Sequence, residues 1–173
     1  DPWAEMMLNH PNLREDMLEF RRMLEGQAAE WAAERATEAD LMRLEQAYSA
    51  LMAAFESDNT VQRSEADIAF HQAIGDAAHN VLIGHLSGAL LNLMQDNIRL
   101  NLGELKTVPA ASRLLMTQHT AIFEAVRDKK PQAARSAAET HIDFVRETLA
   151  QTLRSVARRE TAERRLSSEF SPS

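Results

Sequence analysis

Apolar residues return every three or four positions through most of the chain, the period of a helix with one buried face. Leu13, Met17, Phe20, Leu24, Ala28 and Trp31 make the first such stripe. Asn12 stands where a cap belongs, so a helix is predicted from there to about Ala36. Thr37-Glu-Ala-Asp40 reads as a capped start with acids in the first turn. Its stripe is Leu41, Leu44, Tyr48, Leu51, Met52 and Phe55, and Ser57 to Thr60 is a break. A third helix is predicted over about 61–78, closed by a turn at His79-Asn80. A long fourth helix should run over about 81–102, with Leu82, Leu86, Leu90, Leu93 and Ile98 facing inward. Gly103 to Pro109 reads as a loop. The fifth helix runs from about Pro109 to Arg127, and the sixth starts near Pro131, which a first helical turn tolerates, and continues past Leu153.

The ends read differently. Trp3, Met6, Met7 and Leu8 suggest a short helical turn, broken by Asn9-His10-Pro11. Residues 154–173 carry five arginines and finish in Ser-Ser-Glu-Phe-Ser-Pro-Ser, where the last helix should fray. Glu160, Glu163 and Glu169, interleaved with those arginines, argue for a solvated helix rather than a phosphate-binding one. The expected organisation is the end of an interdomain linker over 1–11, one domain over 12–158 and a frayed tail over 159–173. Short breaks favour antiparallel neighbours, hence an all-α, up-and-down bundle.

Composition narrows the picture. At 173 residues the chain can bury a real core. It is 45% hydrophobic but only 5% aromatic, so Ala, Leu and Met supply the apolar surface, as helix-on-helix packing requires. The absence of Cys excludes disulfides and thiolate metal ligands and suits a reducing, cytoplasmic setting. A net charge of −7 makes the chain as a whole a poor electrostatic match for nucleic acid. No apolar run approaches the ~20 residues that span a bilayer, so no membrane partner is expected. The chain begins at Asp1 rather than Met and is expected to be part of a longer protein.

The candidate chemistry lies on the stripes. Asp67 and His71 are four apart, one helical turn, on a face shared with Phe70, Ile74 and Ala78. A carboxylate on such a face needs a partner. The fifth helix's stripe is Leu115, His119, Ile122 and Val126, and the sixth's is Ala134, Ala138, His141, Val145 and Leu149. Three helices therefore aim Asp67, His71, His119 and His141 inward. Imidazole and carboxylate suit zinc, nickel, iron(II) or manganese; a hydrogen-bonded Asp–His core without metal is the competing reading. His10, His79 and His85 share no inward stripe and read as surface, turn or supporting residues. Glu-x-x-His motifs of di-iron bundles and the His-Glu-x-x-His of zincins are both absent.

Four stretches carry a family resemblance. They are Leu18-Glu-Phe-Arg-Arg-Met-Leu-Glu25 with Ala28-Ala29 and Ala32-Ala33, then Asp67-x-x-Phe70-His71 with Ala77-Ala78-His79-Asn80, then Gln118-His119 with Ile122, and Ala134 through His141 with Val145. The ligand spacings of four, forty-eight and twenty-two residues match as well. Over about 13–149 the chain resembles the C-terminal effector domain of FadR-type GntR transcription regulators, and most of all their lactate-, glycolate- and pyruvate-responsive members. The resemblance implies an antiparallel bundle of six to seven helices that holds a divalent metal, most simply zinc. It implies binding of a small carboxylate effector, homodimerisation, and operator DNA contact only through an N-terminal winged helix-turn-helix absent from this chain.

The resemblance also implies Arg21, in the first helix, as a clamp on the effector carboxylate; the alternative is a surface pair with Glu25 one turn on. Asn80 is a candidate cap of the fourth helix or an effector contact, and Arg99 a further effector contact. No catalytic residue is assigned. A metal-dependent enzyme acting on a small acid and a metal-free helical adaptor stand as the alternative functions.

Overall fold

The computed structural model describes Met6, Asn9, His10 and residues 12–169. Trp3, Met7, Leu8 and Pro11 of the expected lead-in, and residues 170–173, lie outside the described residues. From Leu13 onward there are seven helices and, among the described residues, no strand. They are α1 Leu13–Arg35, α2 Glu38–Glu56, α3 Thr60–Ala77, α4 Val81–Leu93, α5 Gln95–Leu105, α6 Pro109–Arg127 and α7 Pro131–Glu169.

Local chemistry sets most of these boundaries. Thr37 and Asp40 form a reciprocal capping box: the Asp40 N–H donates to Thr37 Oγ1 at 3.2 Å, and the Thr37 N–H donates to Asp40 Oδ2 at 2.9 Å. Asn59 Oδ1 accepts from Gln62 N at 3.1 Å and Asn80 Oδ1 from Ile83 N at 3.0 Å, starting α3 and α4. Pro109 and Pro131 open α6 and α7, where a missing N–H costs nothing. Asn12 precedes α1, but its side chain makes no capping bond. His79 closes α3 in the left-handed region, at φ 49°, and its Nε2 lies 2.5 Å from Asp40 Oδ2. That tether offsets the ~1–2 kcal/mol a non-glycine residue spends there.

α3 runs through the middle, packed against α1, α2, α4 and α5, while α1 and α6 lie along α7. The core is built from Leu18, Ala28, Ala29, Ala32 and Ala33 of α1, Leu44 and Leu51 of α2, Phe70 and Ile74 of α3, Leu115, Ile122 and Val126 of α6, and Ala134, Ala138 and Leu149 of α7. The small residues let α1 and α7 approach closely.

Four expectations are corrected. The long fourth helix is two, bent at Met94, whose φ and ψ are −92° and 3°. No Pro or Gly marks that position, so the bend is set by packing: Met94, Ile98 and Leu102 turn inward together. The following loop is shorter than expected, because α5 runs on to Leu105. Leu82 and Leu86 are not inside; they are 66% and 38% exposed, and the buried face of α4 is Ile83, Ser87, Leu90 and Leu91. At the C-terminus, where fraying is expected, α7 stays helical to Glu169, although its last buried residue is Thr152.

Candidate metal and carboxylate site

α3, α6 and α7 bring the four donors together at the centre of the bundle. Asp67, His71, His119 and His141 are all buried. One ring nitrogen from each of the three histidines falls within 4.8 Å of the others. Asp67 Oδ1 lies 2.9 Å from His119 Nε2 and 3.8 Å from His71 Nε2. His119 Nε2, His119 Nδ1 and His71 Nε2 are buried without a hydrogen bond of good geometry, although the 2.9 Å approach of His119 helps to hold the Asp67 carboxyl down.

That pattern bears on the two readings of the cluster. In a metal-free Asp–His core the ring nitrogens would be paired, because an orphaned buried polar atom costs about 1–3 kcal/mol. Here the far side of two rings is occupied, and for His71 the near side is not. His71 Nδ1 faces Glu25 Oε2 at 2.7 Å, and His141 Nδ1 faces Gln118 Oε1 at 3.0 Å. An acceptor on Nδ1 favours the proton there and leaves the Nε2 lone pair free, the arrangement found around metal-binding histidines. Three imidazoles and a carboxylate fit a divalent ion of the zinc, nickel, iron or manganese group.

Charge at the site is balanced by neighbours. Burial pulls the Asp67 carboxyl upward, but the His119 and His71 rings and the Arg21 guanidinium prevail and hold it at about 2. Burial also works against Glu25, which Arg21 and His71 nevertheless keep well below the ordinary carboxylate range. For His119 burial lowers the pKa and outweighs Asp67, and for His141 burial with the neighbouring His119, His71 and Arg21 lowers it well below 6.5.

These directions fix a pH dependence. The unfolded chain takes protons on its histidines as pH falls below about 6.5, while folded His119 and His141 resist, so acid favours unfolding. The contribution of Asp67 and Glu25 is complete above the ordinary carboxylate range and is lost as pH falls through their depressed folded values. The melting midpoint of the metal-free domain should therefore decline steadily from about pH 7 to about pH 4. Thermal scans in a chelator across that range check this, and a midpoint that is flat or highest near pH 5 would contradict it.

Beside the donors is a narrow cavity of about 20 Å³, lined by Arg21, Asp67 and His141 at its polar end. Its remaining wall is Met94 at the bend, Asn97, Ile98, Asn101 and Leu102 of α5, Leu115 of α6, and Val145 and Leu149 of α7. Arg21 is 1% exposed; its Nε donates to Glu25 Oε1 at 2.5 Å, while one of its terminal nitrogens is buried and unpartnered. So Arg21 does pair with Glu25, but inside the protein rather than on its surface.

The other two expected effector residues lie elsewhere. Asn80 spends its side-chain oxygen on the α4 cap and borders an open surface hollow with Gln72, Asp76 and His85. Arg99 is half-buried and does not line the cavity, because it sits ~100° round α5 from Ile98. Sequence reasoning also missed Glu25, Gln118 as a His141 partner, and the Asn101 amide. Asn101 donates to Thr148 Oγ1 at 2.9 Å and accepts from Thr152 Oγ1 at 3.0 Å, a buried polar bridge from α5 to α7. Glu25 had a signal: with Leu18, Arg21 and Ala28 it keeps helical spacing on the buried face.

A model of the FCD domain matches residues 16–144. The chain belongs to the FCD-domain family. This FCD domain is 29% identical over 151 residues to the Glc operon transcriptional activator of Escherichia coli K12, covering 86% of this chain and 59% of that protein. It is 28% identical over 148 residues to the putative L-lactate dehydrogenase operon regulatory protein of the same strain, covering 86% of this chain and 56% of that protein. A solved structure of Streptococcus agalactiae GntR superposes with a TM-score of 0.68 at 25% identity, covering 80% of this chain and 60% of that one. The FCD domain thus spans less than three-fifths of the length of these curated relatives, which are transcription regulators. No described helix is long and apolar enough to cross a membrane.

Proposed function

We propose that this FCD domain is the sensing module of a GntR-type transcription regulator. It binds a small carboxylate, a 2-hydroxy or 2-keto acid such as lactate, glycolate or pyruvate, beside a divalent metal held by Asp67, His71, His119 and His141. Zinc is the simplest occupant. The observation that carries this reading is that Asp67 and His141, which cluster with the unpartnered buried nitrogens of His71 and His119, line one cavity with Arg21, whose terminal nitrogen is also unpartnered. A bound divalent ion would supply a Lewis-acid anchor for the acid's oxygens. Arg21 contributes the planar fork that matches a carboxylate. One relative's name, for an L-lactate dehydrogenase operon, points to the same class of acid.

The cavity wall supports a short aliphatic acid. Beyond Arg21, Asp67 and His141 its polar groups are Asn97 and Asn101, and the rest is apolar. A polyhydroxylated acid would leave hydroxyls unpaired against Met94, Ile98, Leu115 and Val145. At about 20 Å³ the space suits a water, not a three-carbon acid, so entry requires the wall to yield. α5, bounded by the Met94 bend and the turn after Leu105, is the wall that can move. Among the described lining residues Asp67 and His141 are the only carboxylate and imidazole, which leaves no general base and favours sensing over catalysis.

Movement of α5 and α7 on effector binding would be passed to an N-terminal winged helix-turn-helix in the cytoplasm, where a dimer sets half-site spacing. The homodimer is proposed through the exposed apolar strip of α1 and α4, where Phe20, Leu86 and Leu93 border one groove. Leu86→Glu should halve the mass seen by light scattering; an unchanged mass would place the dimer elsewhere.

The test of the function is metal content. Inductively coupled plasma mass spectrometry on tag-free protein should find close to one divalent ion per chain, and a thermal-shift screen of lactate, glycolate and pyruvate should then find a stabilising acid. Protein that takes up no zinc, nickel or manganese would sink the reading.

A further inference from the structure

We infer that Glu25 is a positioning residue shared by the metal centre and the carboxylate clamp, so that the two are built around one side chain. The inference rests on the metal-and-carboxylate reading above. Glu25 is 7% exposed, and each of its oxygens is committed to a different neighbour. Oε1 accepts from Arg21 Nε at 2.5 Å, and Oε2 faces His71 Nδ1 at 2.7 Å. At the far end of each neighbour is an atom with no partner: a terminal nitrogen of Arg21, which lines the cavity, and Nε2 of His71, in the donor cluster. Glu25 is thus the middle of a chain that runs from the cavity to the cluster.

The chemistry of that middle position is specific. Arg21 Nε–H is always a donor, and His71 must be a donor at Nδ1 if its Nε2 is to carry a free lone pair. Two donors require two acceptors on one side chain, and only an ionised carboxylate supplies them. Glutamine has the same shape but one oxygen and one NH2 group. If its oxygen serves Arg21, its NH2 faces His71 Nδ1 and forces the ring into the Nε2–H tautomer, which has no lone pair to give a metal. If its oxygen serves His71, the NH2 group opposes Arg21 Nε–H donor to donor and Arg21 loses its brace.

Glu25→Gln should therefore weaken zinc binding by roughly 10–100-fold, the usual effect of losing an outer partner of a ligating histidine. Adding Arg21→Met removes the competing donor and lets the glutamine oxygen turn to His71. The double variant Arg21→Met/Glu25→Gln should bind zinc more tightly than Glu25→Gln alone, within a few-fold of wild type. Loss followed by recovery on a second substitution is something a merely structural glutamate would not produce.

The experiment is a competition titration of zinc against a chromophoric chelator for wild type, both single variants and the double variant, with circular dichroism to confirm folding. Nitrogen-15 spectra of the metal-free wild type should show His71 as the Nδ1–H tautomer, which keeps the question decidable if a variant fails to fold. Glu25→Gln binding zinc as wild type does, a double variant no better than Glu25→Gln, or an Nε2–H His71 would each overturn the role of Glu25 while leaving the metal site standing. Wild type that binds no zinc would overturn the metal reading and the role of Glu25 together.

Discussion

Zinc added to the metal-free domain should raise its melting midpoint by roughly 8–16 °C, and alanine at both His119 and His141 should abolish the rise. At free zinc about a thousandfold above Kd, binding to the folded state contributes about 4 kcal/mol. A chain of this size gains about 2–4 °C for each kcal/mol. The effect is large because the ligands come from three helices: Asp67 and His71 on α3, His119 on α6 and His141 on α7. An ion held there ties together segments far apart in sequence and satisfies nitrogens that are otherwise orphaned. Differential scanning fluorimetry with and without zinc reads it directly. An equal rise in the double variant would assign the stabilisation to surface groups such as His79, His85 and Asp76.

The second large effect is on the effector. Arg21→Lys should weaken the stabilising acid by about 10–150-fold while zinc affinity stays within a few-fold of wild type. Charge-assisted hydrogen bonds contribute about 1.5–3 kcal/mol, and a lysine ammonium lacks the fork that grips Glu25 and a carboxylate at once. Lysine rather than alanine is the right probe, because deleting the cation would leave Glu25 and Asp67 buried with less compensation and cost several kcal/mol of stability. Calorimetric titration of the zinc-loaded variant gives both numbers. Unchanged acid affinity would remove Arg21 from the site.

The parts of this site that the sequence reveals are those that obey a single helical period. Asp67 and His71 share a turn, and His119 and His141 interrupt stripes of Leu, Ile, Val and Ala that can only be core. The capping box at Thr37 and Asp40 is equally local, and the structure has it. What periodicity misses depends on which face of an ambiguous helix is turned inward. An Arg–Glu pair at i and i+4 looks the same on a surface as in a core, so only the spacing of Glu25 with Leu18 and Ala28 tells the two apart. α4 is apolar nearly all round, so Leu82 and Leu86 pass for core although they face out. The bend at Met94 has no local breaker and comes from packing over the cavity. α5 therefore faces the donors with Asn97 and Asn101, and Arg99 falls to one side.

The most direct test is to titrate L-lactate, glycolate and pyruvate by isothermal calorimetry into the zinc-loaded and the metal-free domain. Binding of at least one acid to the loaded protein, lost when the metal is removed and sharply weakened in Arg21→Lys, is the predicted result. An acid that binds the metal-free domain as tightly as the loaded one would separate effector recognition from Asp67, His71, His119 and His141, and the proposed site would be wrong.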